Sequence, residues 1–419
     1  MTRQVFVALL TVATFAAACD GGGEPPDAPP GASDPVGGDR TQIEFTLFGD
    51  PAETAGYEQL VSQFEAANDD VDVVLAPVPE QSDLLARLTT GFAAGDPPDV
   101  FLINYRNFGG YAERGVVVPP SFDTGAFYEQ PVEAFTVGGR PQCVPQNVSS
   151  LVVYYNADAF DRANVGRPAP DWTYDAFLVA GRRLTRRGQH GVGVEPGLVR
   201  ASAFVWAAGG EVVDRVSDPT RLTLDTPEAR RGLERLVALR REGLSPTAKE
   251  AASRSLEERF IDGSVAMFLS SRREVPSFRT IEGFEWDVAA FPRAERDVSV
   301  LHSDAYCVAK GGDVEEAARF VAFAAGEEGQ RRLARSGRTV PSRRSVAQSP
   351  AFLDPSKPPR SSQVFLDAIP KLERLPTDAR WTEAEDAADL ALERLYYGDL
   401  SLDEAIDRIE RETGPMLAR

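Results

Sequence analysis

Polar side chains stand directly after several apolar runs of this 419-residue chain. Asn104 and Tyr105 follow the run 100–103, and Ser271 and Arg272 follow a second run. The carboxyl ends of parallel strands share one edge of a sheet, and ligand-binding groups gather there. Amide, hydroxyl and guanidinium groups at such an edge would hydrogen-bond to a hydroxyl-rich ligand, and aromatic rings would pack on its C–H faces. This is binding chemistry, which needs no proton transfer and no nucleophile.

Further candidate ligand-binding residues each carry a second interpretation. Asp50 and Glu53 follow the first apolar run, and capping or dipole compensation at a helix start explains them equally well. Asn147 is either a ligand contact or part of a hinge. Trp206 is either a platform for a ligand or a core residue, and the two glycines shortly after it favour a loop beside the site. Arg272 is either a ligand contact or a solvated surface charge.

The spacing of apolar residues predicts alternating strands and helices. Predicted strands cover 43–48, 71–78, 100–103, 151–155, 288–291 and 306–309, and helices are predicted over 57–64, 84–92, 172–184 and 313–325. Ser82, Asp313 and Ser401 are predicted helix caps. Strands and helices alternate at the start of the chain, which predicts a parallel sheet in an α/β fold.

The first residues of the chain have the layout of a secretory signal. The apolar run 5–18 is shorter than the roughly 20 residues of a membrane-spanning helix. Cys19 follows three alanines and resembles the cysteine of a bacterial lipobox, although Ala16 stands where that motif prefers Leu. We expect a signal peptide at 1–18 and lipid on Cys19, anchoring the protein to the outer face of the cell membrane; the alternative is a plain signal peptide. Residues 19–40 are rich in Gly, Pro and Asp and predict a disordered linker.

Charge and cysteine content bear on the class of protein. The formal net charge of −19 argues against nucleic acid as a partner, because binding to phosphates needs clustered cations.

With Cys19 lipidated, Cys143 and Cys307 are either a disulfide formed in an oxidising compartment or two buried free thiols. The chain has two histidines, His190 and His302, and no Cys/His spacing typical of metal sites. We therefore expect no metal and no cofactor.

Several motifs, in order along the chain, resemble those of the family 1 extracellular solute-binding proteins, the receptors of ABC sugar importers. They are the segments 95–101 (GDPPDVF), 145–156 (PQNVSSLVVYYN), 260–267 (FIDGSVAM), 309–330 and 337–343 (GRTVPSR). The resemblance implies a two-lobed periplasmic-binding-protein-like fold of type II, with interleaved lobes, a hinge and a central ligand cleft. We expect lobe 1 to comprise 41–146 and 305–350, and lobe 2 to comprise 147–304 and 351–419.

The resemblance also implies site residues. Residues 301–306 (LHSDAY) take the place of a Gly-Gly or Gly-Ser pair that the family often has before a ligand-facing strand. Family analogy adds Arg338 and a sugar-stacking role for Trp206. The predicted ligand-binding residues are Asp50, Glu53, Asn104, Tyr105, Asn147, Trp206, Ser271, Arg272, His302, Asp304, Tyr306 and Arg338.

By this resemblance the chain is a monomeric, non-enzymatic receptor. It would capture a sugar or oligosaccharide by lobe closure and deliver it to the membrane permease subunits of an ABC importer. One alternative is a receptor of the same fold for a polyamine or peptide, and a cationic ligand would require an excess of carboxylates in the cleft without an aromatic platform. The other is a secreted glycoside hydrolase, which needs two carboxylates about 5–10 Å apart. The sequence has no nucleophile-elbow, HExxH or P-loop motif.

Overall fold

The computed structural model describes residues 40–49 and 51–418. The predicted signal peptide, Cys19, the linker up to residue 39 and Asp50 therefore lie outside the described residues. Within the described part, no helix combines the length and the apolar character that crossing a bilayer requires.

The described chain contains strands and helices throughout, and they alternate regularly over residues 41–113. The strands are β1 Thr41–Phe48, β2 Val71–Val78, β3 Val100–Asn104, β4 Val117–Val118, β5 Thr136–Val137, β6 Arg140–Pro141, β7 Val144–Pro145, β8 Ser149–Ser150, β9 Val152–Asn156, β10 His190–Gly193, β11 Val265–Ser270, β12 Trp286–Ala290, β13 Ser299–His302, β14 Asp304–Ala309 and β15 Leu372–Glu373. The helices are α1 Pro51–Ala67, α2 Gln81–Ala94, α3 Tyr105–Glu113, α4 Glu129–Ala134, α5 Ala157–Arg162, α6 Tyr174–Leu184, α7 Leu198–Ala207, α8 Pro227–Arg241, α9 Ala248–Ser253, α10 Leu256–Ile261, α11 Val275–Phe278, α12 Val314–Ala324, α13 Glu327–Ser336, α14 Arg344–Ala347, α15 Gln363–Ala368, α16 Trp381–Tyr397 and α17 Leu402–Leu417. Short 3₁₀ turns lie at Thr124–Ala126, Arg272–Glu274 and Ile369–Lys371.

The first sheet has the order β2-β1-β3-β14-β4, with β7 also paired to β14. Strands β1, β2 and β3 run parallel, as their alternation with helices predicts. Strand β14 arrives much later in the chain and is antiparallel to β3. Ile43, Phe45 and Leu47 of β1 are buried beneath α1, whose apolar face has the i, i+3, i+4, i+7 spacing of an amphipathic helix.

The second sheet has the order β10-β11-β9-β12. Every residue of β9 and β11 is buried, which explains why these strands read as continuous apolar runs. Helix α7 packs beside this sheet against α8, and Gly232 of α8 allows the close approach. A Cβ at Gly232 would lie 2.5 Å from the Cα of Val205 in α7. Both helices and much of the C-terminal pair α16–α17 share one hydrophobic core.

The chain crosses between the two sheets at adjacent points. It leaves the first sheet after β7 and reaches β9 of the second sheet through β8, and it returns to β14 through β13; β8 and β13 belong to a small third sheet of order β15-β13-β8. The outgoing and returning segments are paired, because β8 and β13 are antiparallel and the Gln146 amide donates to the Asp304 carbonyl at 2.8 Å. Cys143 and Cys307 form a disulfide beside these crossings, and both are fully buried.

Of the three helix caps predicted from the sequence, one makes the expected capping hydrogen bonds. Ser401 caps α17 with Glu404 in a reciprocal capping box, as predicted. The prediction for Ser82 is wrong, because α2 begins one residue earlier, at Gln81, with Glu80 in the cap position. Asp313 precedes α12 as predicted, but its carboxylate makes no capping hydrogen bond within that helix. The backbone amide of Asp313 instead donates to Asp99 Oδ1 at 2.9 Å.

Candidate ligand-binding site

A polar cleft lies where the first and second sheets meet, and we call it the central cleft. Phe48, Asn104 and His302 reach it from the carboxyl ends of β1, β3 and β13, and Ser271 reaches it from just beyond β11. The described lining residues are Phe48, Glu53, Gln81, Asn104, Arg106, Asn147, Ser149, Val199, Arg200, Ser271, Arg272, Arg273, His302, Asp304, Arg338, Thr339 and Val340. The inner part has a volume of about 130 Å³ and adjoins an outer part of about 690 Å³ lined in common by Phe48 and Gln81.

The floor of the central cleft is a hydrogen-bonded cluster at the chain crossings. Asp304 accepts hydrogen bonds from Asn147 Nδ2 at 2.9 Å and from Asn104 Nδ2 at 3.1 Å. The Asp304 backbone amide donates to Asn147 Oδ1 at 3.2 Å, and Ser303 Oγ donates to the Asn147 carbonyl at 2.7 Å. The side chains that reach the cleft floor therefore also hold the two crossing segments together.

One ion pair spans the cleft wall. Arg338 Nη2 lies 2.5 Å from Glu53 Oε2, and both side chains are only about a tenth exposed. Arg338 Nη1 also donates to the Arg273 carbonyl at 3.2 Å. Arg338 thus connects the start of α1 to the segment that follows β11, which belongs to the other sheet.

Two further arginines enter the cleft from opposite sheets. Arg106, in the first turn of α3, donates from Nε to Asn104 Oδ1 at 3.2 Å and forms an ion pair with Glu385. Burial lowers the pKa of the Arg106 guanidinium. Arg200, in the first turn of α7, lies 2.8 Å from Glu195, while its Nε is buried with no hydrogen-bond partner in the described structure.

His302 lies among these cations. Burial lowers its pKa to about 3, and the positive charges of Arg200, Arg106 and Arg273 contribute in the same direction. The imidazole is therefore neutral near pH 7. Its Nδ1 is buried without a hydrogen-bond partner among the described residues. A neutral ring can both donate and accept a hydrogen bond, which suits it to a ligand hydroxyl.

A family model described as bacterial extracellular solute-binding protein matches residues 59–358. This match covers well over half of the chain. The chain belongs to the bacterial extracellular solute-binding protein family.

Known relatives agree with this assignment over nearly the whole chain. A binding protein of Brucella abortus is 22% identical in an alignment of 383 residues that covers 86% of this solute-binding protein and 89% of the relative. An ABC substrate-binding protein of Listeria monocytogenes, solved in complex with cycloalternan, superposes with a TM-score of 0.83 at 24% identity, covering 90% and 99% of the two chains. The GacH receptor of Streptomyces glaucescens, solved unliganded and with acarbose, gives a TM-score of 0.81 at 20% identity over 90% and 98%. These similarities show that the chain has the two-lobed fold of its family.

Most of the predicted site residues of this solute-binding protein line the cleft. Glu53, Asn104, Asn147, Ser271, Arg272, His302, Asp304 and Arg338 do so. Their contact with a ligand remains a prediction. Asp50 lies outside the described residues.

Three aromatic residues predicted at the site are buried in the cores instead. Trp206 is 3% exposed within α7, and the turn with the two glycines follows the end of that helix; a Cβ at Gly210 would lie 2.6 Å from the backbone nitrogen of Ala229 in α8. Tyr105 is fully buried, and its hydroxyl accepts a hydrogen bond from the Leu375 amide at 3.1 Å. Tyr306 is 1% exposed, and its ring centroid lies 5.9 Å from that of Phe45. None of the three lines the cleft.

Arg272 borders the cleft, but its guanidinium points into the protein. The side chain is 1% exposed, so its interpretation as a solvated surface charge is wrong. Nε donates to the Gly337 carbonyl at 2.7 Å, and Nη1 donates to Ser362 Oγ at 3.0 Å. Burial lowers the pKa of Arg272 to about 9. These contacts hold Arg272 within the cleft wall, and its contact with a ligand stays a prediction.

Sequence reasoning missed several lining residues, of which the cations matter most. Arg106 stands two positions after the end of β3, close enough for the strand-end rule to have included it. Arg273 follows Ser271 and Arg272 in the same manner. Arg200 carries the charge in a helix whose other nine residues are all buried and uncharged, which is a detectable signal. Gln81, Ser149, Val199, Thr339 and Val340 gave no distinguishing signal.

The protonation state of His302 predicts a loss of stability in acid. Its pKa is lower in the folded chain than in the unfolded chain, so the unfolded state takes up the extra proton between about pH 6.5 and pH 3. From pH 7 to pH 4.5, His302 should therefore lower the free energy of unfolding by about 2 kcal/mol. Urea unfolding of the wild type and of His302→Gln at both pH values measures the contribution of His302 to the free energy of unfolding. The contributions of the other titrating groups cancel when the pH dependence of the two proteins is compared. Equal pH dependence in the two proteins would contradict it.

Proposed function

We propose that this protein is the extracytoplasmic receptor of an ABC importer and captures a carbohydrate in the central cleft. The observation that carries the proposal is the cleft itself. Hydrogen-bonding groups converge at strand ends beside two adjacent chain crossings, where a hinge between the sheets would lie. The structural relatives solved with cycloalternan and acarbose support a carbohydrate as the ligand.

We propose that the two sheets are the centres of the two lobes, with boundaries at 41–146 and 305–350 for lobe 1 and at 147–304 and 351–419 for lobe 2. The inner cleft volume of about 130 Å³ is below the roughly 300–1,000 Å³ of common ligand sites. A sugar would therefore extend into the outer part, or the lobes would open to admit it. Ligand binding then favours the closed arrangement, because only that arrangement lets both lobes contact the ligand.

The remaining parts of the proposal concern the partners and the chemistry. The receptor acts as a monomer, delivers solute to permease subunits and is held at the outer face of the membrane by lipid on Cys19. Loss of lipid incorporation in Cys19→Ser, measured by metabolic labelling with a fatty acid, tests the anchor. We propose no catalytic activity, because the two described carboxylates of the inner cleft are engaged: Glu53 pairs with Arg338, and Asp304 accepts from Asn104 and Asn147.

The cleft charge argues against the polyamine alternative. The described lining of its inner part contains five arginines and two carboxylates, whereas a cationic ligand requires an excess of carboxylates. A cation in the cleft would meet net repulsion.

A thermal-shift screen of residues 40–419 tests the function. Sugars and oligosaccharides, polyamines and short peptides are added separately, and at least one carbohydrate should raise the melting temperature in a concentration-dependent manner. Asn147→Ala serves as the site variant and should weaken that shift, because a cleft-floor amide is lost. A shift with polyamines or peptides alone, or hydrolysis of a glycoside by the purified protein, would contradict the proposal.

A further inference from the structure

The central cleft is cationic in a protein of net charge −19. Among the described residues that line its inner part, Arg106, Arg200, Arg272, Arg273 and Arg338 face two carboxylates, Glu53 and Asp304, while Glu58 and Glu80 line the outer part. Overall charge therefore does not explain the arginines, and their concentration at one cleft is a local feature. Fields in a cleft with low-dielectric walls are focused, so a local excess of cations attracts anions there.

The existing ion pairs separate these arginines into two groups. Arg272 is fully committed to the Gly337 carbonyl and Ser362, and Arg338 is paired with the buried Glu53. Arg106 is paired with Glu385, whose side chain is 8% exposed. Carboxylates therefore neutralise Arg338 and Arg106, and hydrogen bonds inside the protein hold the guanidinium of Arg272.

Arg200 and Arg273 are less compensated. The carboxylate of Glu195, the partner of Arg200, is 54% exposed, so water screens that pair, and the Arg200 Nε has no partner in the described structure. Arg273 is 59% exposed, and its Nε lies 3.4 Å from Glu274, a longer contact than the pairs made by Arg200 and Arg338. Both guanidinium groups border the cleft from the segments after β11 and at the start of α7.

The inner part of the central cleft also offers few aromatic rings on which a neutral sugar could pack. Phe48 is the one aromatic side chain among the described residues that line the inner part besides the ring of His302. A receptor for a neutral sugar gains much of its affinity from rings packed on C–H faces. With Trp206, Tyr105 and Tyr306 buried elsewhere, this cleft must obtain affinity mainly from charge and hydrogen bonds.

We propose that the ligand is a sugar bearing an anionic substituent, a carboxylate or a phosphate, which binds between Arg200 and Arg273 beside His302. The guanidinium fork matches the geometry of both oxyanions and forms paired charge-assisted hydrogen bonds with them. The orphaned Arg200 Nε and His302 Nδ1 are the described polar atoms that such a ligand would satisfy. This inference rests on the proposed carbohydrate-binding function and specifies its ligand class.

Isothermal titration calorimetry of residues 40–419 tests the inference. The probes are glucuronate, galacturonate and their short oligomers, glucose 6-phosphate, and the neutral sugars and oligomers of matching size. At least one anionic sugar should bind tenfold or more tightly than its neutral counterpart, and raising the salt concentration should reduce this preference. The uronate and phosphate arms identify which oxyanion the site takes.

Variants locate the effect. Arg200→Gln and Arg273→Gln should each weaken binding of the anionic sugar at least tenfold, because each removes a charge-assisted contact. Arg200→Lys should retain part of the affinity. Arg215→Gln is the matched control, since Arg215 is 58% exposed and pairs with Asp218 outside the cleft lining. This variant should bind the anionic sugar with the affinity of the wild type. Unchanged urea midpoints establish that the variants are folded.

The outcomes separate this inference from the function on which it rests. If neutral oligosaccharides bind as tightly as anionic ones, the ligand class is wrong and the receptor function stands. If anionic sugars bind but Arg200→Gln and Arg273→Gln bind them normally, the assigned position is wrong. If no carbohydrate of either kind binds, the proposed function and this inference fail together.

Discussion

Replacing Arg272 with alanine is expected to lower the free energy of unfolding by about 3–5 kcal/mol, with no direct loss of a ligand contact. The truncation leaves a cavity between the rings of Phe352 and Phe365, which the guanidinium approaches at 4.6 and 5.1 Å. It also leaves the Gly337 carbonyl and Ser362 without their donors. These groups come from three separate segments, so their mutual packing is lost in one step.

Arg273→Ala is the matched control for this experiment. Arg273 is the adjacent residue, but its side chain is 59% exposed, so its removal should change stability by no more than about 0.5 kcal/mol. Urea unfolding followed by circular dichroism measures both variants. An Arg272→Ala protein of normal stability that fails to bind ligand would restore the role that the sequence predicted for this residue.

Loss of the disulfide is the second large effect that we expect. Cys143→Ser with Cys307→Ser should cost about 2–5 kcal/mol in the free energy of unfolding, because the bridge closes a loop between residues 164 positions apart and restricts the unfolded chain. Both sulfur atoms are also buried, so the two serine hydroxyls would need partners in the core. Urea unfolding of the double variant and of the oxidised wild type measures the difference.

Thiol titration gives an independent check of the disulfide. Residues 40–419 contain two cysteines, so the denatured, unreduced chain should show no reactive thiol and the reduced chain should show two. Two reactive thiols before reduction would mean that the cysteines are free. In that case the double variant should lose much less stability.

The backbone pattern of this protein could be predicted well because it depends on local periodicity. The predicted strand 71–78 coincides with β2, and the apolar spacing of α1 identified its buried face. The parallel arrangement of β1, β2 and β3 followed from strand–helix alternation. The antiparallel strand β14 could not be placed in this sheet from local pattern, since its pairing joins residues about 200 positions apart.

Side-chain direction explains the errors at the site. The strand-end rule identified the place where β3 enters the cleft, but it cannot say which residues of the following turn face the cleft. Asn104 and Arg106 face it, while Tyr105 between them turns into the core. The burial of Trp206 depends on how α7 packs against α8 through Gly232. That contact cannot be predicted from the sequence of α7 alone.

The disulfide restricts where the proposed lobe rotation can occur. Cys143 precedes the outgoing crossing at Asn147 and Cys307 follows the returning crossing at Asp304, so a covalent bond fixes both segments at their ends in the first sheet. At these two crossings, the torsion changes of such a rotation would then fall in the few residues between this bond and strands β9 and β13. Asn147, Ser303 and Asp304 lie in that interval, and two of them line the cleft floor. At these two crossings the proposed rotation would therefore take place beside the proposed ligand site, and a solute bound to Asp304 would contact a residue of the crossing itself.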